Sequence, residues 1–113
     1  MRRRSRWVAA TVRQPLVSDP LFDPLIHARH RLQICAITST ATHVEFGELQ
    51  DRLELSKSAL SKHISQLTEQ GYLHQEQITR AGRSRLRLTL TDRGRRAYEG
   101  HTAALREIIE STR

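Results

Sequence analysis

Residues 57–70 read KSALSKHISQLTEQ, a spacing that puts Ser58, Ser61, Lys62, Ser65 and Gln66 on the side of a helix away from Leu60, Ile64 and Leu67. Small hydroxyls let a helix approach phosphates and base edges closely. A lysine such as Lys62 reaches a phosphate or a guanine, and a glutamine such as Gln66 matches adenine N6 and N7. The early positions, 57–62, carry most weight, because a helix that reads a major groove does so with its N-terminal residues. Lys57 then serves as a phosphate anchor. The plain alternative is a solvated helix face that touches nothing.

A second constellation follows at once. Arg80, Arg83, Arg85 and Arg87 surround Gly82 with no acid between them in the chain. Arginines at a glycine turn can enter a narrow minor groove, where the negative potential is deepest, or clamp flanking phosphates bidentately. Arg80 and Arg83 are the strongest candidates. Arg85 and Arg87 alternate with Leu86 and Leu88, which puts them on the solvent side of a strand, where they touch nucleic-acid backbone or simply keep an edge strand soluble.

These side chains need elements to hold them. Residues 15–24, PLVSDPLFDP, read as an extended arm, since each proline disfavours helix in the residue before it. Asp23 and Pro24 supply an N-cap and a proline at the first helical position, predicting one helix to about residue 39. Leu25, Ala28, Leu32 and Cys35 share one face, and Ile26, Ile34 and Ile37 a second, so this helix is central to the core. After a Ser/Thr-rich turn at 38–42, His43 and Val44 suit a short strand. Phe46, Leu49 and Leu53 suit a short helix that is acidic outside. Ser56 or Ser58 caps the third helix, Gly71 ends it, and residues 54–57 join the pair as in a helix-turn-helix. Residues 72–79 and 85–90 form a β-hairpin with an arginine-rich tip. Thr91 caps a final helix with Tyr98, His101, Leu105 and Ile108 in a stripe and Ile109 beside it.

The 113 residues carry a formal charge of +7, with +5 in residues 1–15, −3 in 44–55 and +4 in 56–90. That pattern points to a polyanionic partner, nucleic acid first, with a basic tail at the N-terminus. No apolar run approaches membrane length. Cys35, the single cysteine, excludes a disulfide framework and fits a reducing, cytoplasmic setting. It reads as inert packing rather than as a redox sensor. His27, His30 and His101 raise metal sensing, but no cysteine pair or His-x3-His accompanies them, so His101 reads better as a partly buried packing residue and no metal or cofactor is expected. His63 reads as helix packing with a possible phosphate contact. No phosphate loop, carboxylate pair or nucleophile triad is present to suggest an enzyme.

The order helix, helix, helix, hairpin, helix is that of a winged helix. Residues 25–108 resemble the compact winged-helix regulators related to the multiple-antibiotic-resistance repressor and arsenical-repressor superfamilies. The carriers are Leu25-Ile26-His27 and Arg31-Leu32-Gln33-Ile34, Val44-Glu45-Phe46-Gly47-Glu48-Leu49, Leu60-Ser61-Lys62-His63-Ile64, Leu67 with Gly71-Tyr72-Leu73, and Leu90-Thr91 with Gly94-Arg95. Cys35 and Thr38 depart from the usual leucines, and the arginine tail is additional. The resemblance implies a mainly α, α+β winged helix-turn-helix with a three-helix core, a hairpin wing and a C-terminal helix. The expected division is an N-terminal tail and arm (1–22), a winged helix (23–90) and a dimerising helix (91–113). It further implies a homodimeric repressor of double-stranded DNA that pairs through residues 15–24 and through Tyr98, His101, Leu105, Ile108 and Ile109. A small-molecule effector pocket would lie where the first and last helices meet. A winged helix used for protein or RNA interaction is the alternative.

Overall fold

The computed structural model describes residues 19–112; the basic tail and the first part of the arm lie outside them. Asp23 caps the first helix, its Oδ1 accepting from the Leu25 and Ile26 amides at 2.9 and 3.1 Å, with Pro24 in the first turn. The single helix predicted to residue 39 is in fact two, α1 (Pro24–His27) and α2 (Arg29–Ser39), separated at Ala28, whose ψ is 134°. The cause is a change of partner. A continuous helix would pair the Leu25 carbonyl with the Arg29 amide, whereas here Arg31 Nε takes that carbonyl at 2.6 Å. The break lets Ile26 bury completely.

Two residues, Val44–Glu45, form β1, and α3 (Phe46–Leu53) ends with Glu54 at φ 55°, turning the chain into α4 (Lys57–Glu69). Ser56 is the cap of α4, its Oγ accepting from the Ala59 amide at 3.1 Å. At the other end Gly71, at φ 82°, closes a Schellman turn: its amide donates to Thr68 O and that of Tyr72 to Leu67 O, both at 2.9 Å. Strands β2 (Leu73–Arg80) and β3 (Arg83–Leu90) form the predicted hairpin, with β1 paired on the far side of β3 to give the order β1-β3-β2. Its two-residue turn holds Ala81 and Gly82 both at positive φ, 53° and 75°, as the twist of a tight hairpin requires.

Thr91 fixes the entry to α5 (Asp92–Glu110). Its Oγ1 accepts from the Gly94 amide and donates to the Gly71 carbonyl, locking the end of α4 to the start of α5. The core gathers Ile26, Ile34, Cys35, Leu49, Leu60, Ile64, Leu67 and Leu88 around α2, which is buried on both faces along its C-terminal half as expected. The architecture is an α+β winged helix with a three-stranded antiparallel sheet.

Candidate nucleic-acid interface

Helix α4 buries Leu60, Ile64 and Leu67 and so turns its opposite side outward. Ser56, Lys57, Ser58, Ser61, Lys62 and Ser65 line a shallow, open recess along it. Lys57 and Ser61 also border a second recess of about 370 Å³, which continues past Phe46 and Gly47 to Gln77, Ser84, Arg85 and Leu86 of the hairpin. The two hollows share residues, so the helix face and the wing form one continuous surface. Ser58, Ser61, Lys62 and Ser65 are exposed there, as the sequence predicts.

Gln66 sits differently. It is half-buried on the flank toward α2, and its Oε1 accepts from Arg31 Nη1 at 2.9 Å. The same Nη1 lies 3.2 Å from His63 Nδ1. Burial, with Arg31 next, holds the His63 pKa below its usual value. Arg31 enters the sequence analysis only as part of the family resemblance, because its partners Leu25, His63 and Gln66 come together only in the fold.

Two of the four wing arginines have acquired acids from neighbouring strands. Arg80 pairs with Glu45 of β1 at 2.7 Å, and Arg87 with Glu76 of β2 at 2.7 Å. The register Glu45↔Arg87 and Glu76↔Arg87 puts all of these on one face of the sheet. Arg85 shares that face, opposite the buried leucines as the alternation predicts, but is half-buried, with Nε enclosed and, among the described residues, without a hydrogen-bond partner. The Arg80 to Glu45 link joins the two strands flanking β3 and therefore spans the face on which Arg85 lies. Arg83, beside the turn, is exposed. Cross-strand pairing was the signal that would have found Glu45 and Glu76, once the turn was fixed at residues 81 and 82.

The α5 stripe divides. His101 is completely buried and is no surface residue: Nδ1 accepts from the Asp23 amide at 2.9 Å and Nε2 lies 3.3 Å from His27 Nδ1. It is enclosed because the arm lies across α5 at Gly100, where the Leu21 amide donates to the Gly100 carbonyl. Tyr98 and Leu105 are half-buried, while Ile108 and Ile109 are 52% and 68% exposed. On the arm, Leu21 and Phe22 are 74% and 42% exposed. Between arm and helix lies a recess of about 340 Å³ bordered by Asp19, Leu21, Tyr72, Arg96 and Gly100.

Cys35 is buried and its thiol is pushed up to about 12 by burial, which keeps it protonated. Among the described residues no group of three or more His, Cys, Asp or Glu side chains is placed to hold a metal. No described helix is long and apolar enough to cross a membrane.

The fold recurs in solved structures. A transcriptional regulator homologue from Pyrococcus horikoshii superposes with a TM-score of 0.73 at 23% identity, covering 78% of this chain and 87% of that one. YusO from Bacillus subtilis gives 0.66 at 21% identity, over 80% of this chain and 60% of that one. HlyU from Vibrio cholerae gives 0.54 at 27%, over 78% and 83%. No curated protein sequence matches the chain. The family model for the winged helix DNA-binding domain matches residues 30–109, from the start of α2 to the end of α5. With the three-helix core, the wing and the open α4 face in their expected places, the chain belongs to the winged helix DNA-binding domain family.

Proposed function

We propose that the protein is a transcriptional regulator that binds double-stranded DNA sequence-specifically as a cytoplasmic homodimer and represses by occluding polymerase. The observation that carries this reading is the unbroken surface of hydroxyls and cations on α4, joined to the wing through Lys57 and Ser61. Helix α4 enters the major groove and Ser58, Ser61, Lys62, Ser65 and Gln66 meet base edges. Lys57, Arg80, Arg83 and Arg85 take phosphates or the adjacent minor groove. Ion pairing of Arg80 with Glu45 does not conflict with this, because an exposed pair is weak and a phosphate can replace the carboxylate.

Dimerisation uses Leu21 and Phe22 of the arm with Leu105, Ile108 and Ile109 of α5, which sets two α4 helices about 34 Å apart on successive grooves. An effector pocket is assigned to the recess beneath the arm. The arginine-bearing wing counts against a protein-docking role, and the burial of Tyr72 counts against RNA stacking. Gel shifts with the upstream region of the protein's own gene, run with non-specific competitor over a salt series, test the reading. A retained band whose affinity falls steeply with salt is expected; no retained band at low salt sinks it.

A further inference from the structure

Gln66 lies one helical turn beyond Lys62, and its amide is not free to choose an orientation. Arg31 Nη1 donates to Gln66 Oε1 at 2.9 Å. Arginine offers no acceptor, so the amide must turn its oxygen inward and its NH2 outward. The guanidinium is itself fixed, with Nε on the Leu25 carbonyl at 2.6 Å and Nη1 3.2 Å from His63 Nδ1. His63 can only accept there, which leaves its ring neutral with the hydrogen on Nε2. Among the described residues nothing accepts from the Gln66 NH2, and it is not enclosed.

We propose that Arg31 is a specificity-positioning residue: by holding Gln66 Oε1 against α2, it makes the glutamine a donor-only group that selects guanine instead of adenine. The inference rests on the DNA-reading function proposed above and takes it from a face to a base. A free glutamine matches adenine by donating to N7 while accepting from N6. With Oε1 held inward, the outward NH2 has hydrogens to give and nothing to accept with. Guanine presents two adjacent acceptors, N7 and O6, whereas adenine sets its own N6 donor against the amide.

Selection of bound duplexes from a randomised pool tests this, using the full chain as wild type and as Arg31→Lys, Gln66→Ala and Gln66→Glu. The wild type is expected to enrich guanine over adenine by about tenfold at one position of each half-site, the size of one good base contact. Gln66→Ala levels that position alone. Arg31→Lys keeps the charge but lacks the planar fork that holds Leu25, His63 and Gln66 together. The same position should then lose its preference or drift to adenine, while non-specific binding stays within about twofold. Gln66→Glu keeps an oxygen for Arg31 and turns an acceptor outward, moving the preference to cytosine. A wild-type preference for adenine there, or preferences unchanged by Arg31→Lys and Gln66→Ala, overturns the inference alone. Enrichment of no sequence by the wild type overturns the DNA-reading function, and the inference with it.

Discussion

The backbone N–H of Asp23 donates to the Nδ1 of His101 at 2.9 Å, tying the start of the first helix to the middle of the last. Asp23 also caps α1 with Oδ1 and accepts the Tyr72 hydroxyl on Oδ2. One residue thus joins the arm, α5 and the root of the wing. Because Nδ1 accepts, the His101 hydrogen must sit on Nε2, directed at His27 Nδ1 3.3 Å away. A second proton would land on Nδ1, where the Asp23 amide already points.

This arrangement makes stability depend on pH. Burial, and then His27, hold His101 below the ordinary 6.5, with Asp23 opposing them; burial and then Arg31 lower His63 likewise. Both rings are neutral in the fold and take protons more readily when unfolded. Their contribution is therefore whole above 6.5 and is lost as pH falls from there through the depressed folded values. Thermal melts between about pH 7.5 and about pH 5 should show Tm falling only over the lower part of that range. In a His101→Gln, His63→Gln double variant the slope should flatten. An equal slope in the double variant assigns the effect elsewhere.

Gly94 is required by packing. A Cβ there would fall inside the Tyr72 carbonyl and press on Leu90 Cδ1. The Tyr72 backbone cannot retreat, because the Thr91 amide holds the same carbonyl at 3.0 Å. Gly94→Ala should cost about 2–4 kcal/mol in urea denaturation. At Gly47, in the first turn of α3, nothing stands within 4 Å. Gly47→Ala should be neutral or stabilising by up to about 1 kcal/mol. Similar losses at both positions would remove the packing explanation.

The order of elements was legible because each has a local signature. Ser56, Gly71 and Thr91 mark helix ends through bonds to amides and carbonyls within a few residues, and the alternation of leucine in β3 marks its buried face. The open α4 face was legible for the same reason, since helical period alone turns Ser58, Ser61, Lys62 and Ser65 away from Leu60 and Ile64. What escaped depends on partners distant in sequence. Arg31 removes a carbonyl from the backbone ladder and splits a helix whose pattern is continuous. Gln66 is half-buried because that same arginine holds its oxygen against α2. His101 reads as a partly buried packing residue on an interface stripe; its complete burial comes from the arm crossing α5. The wing arginines looked free because their acids, Glu45 and Glu76, arrive only through sheet register.

The division of labour between wing and helix is measurable by salt dependence. Arg83 is exposed beside the turn with no ion pair among the described residues. Arg83→Ala should weaken specific and non-specific DNA alike and reduce the salt slope by about 1. Ser61→Ala should mainly blur sequence preference. Glu45→Gln releases Arg80 from its carboxylate and should strengthen binding and steepen the slope. Fluorescence anisotropy over a salt series reads all three. Uniform losses from Arg83→Ala and Ser61→Ala would abolish the distinction between anchoring and reading.

The exposed apolar residues of α5 make the oligomeric state testable without disturbing the core. Ile108 and Ile109 are 52% and 68% exposed and lie outside the core cluster, so charged replacements there leave the core intact. They lie beyond Leu105 on the helix whose middle is crossed by the arm at Gly100, and Leu21 of that arm is itself 74% exposed. An isolated chain would leave this surface in water, whereas pairing two copies buries it twice. Ile108→Glu with Ile109→Glu should shift sedimentation from dimer to monomer while far-UV circular dichroism is unchanged. Losing the second half-site should weaken binding to a palindromic site by more than about tenfold, yet leave the affinity for a single half-site nearly unaltered. A dimer that survives both glutamates puts the interface on another surface of the molecule, because two buried, unpaired carboxylates per subunit could not be tolerated at its centre.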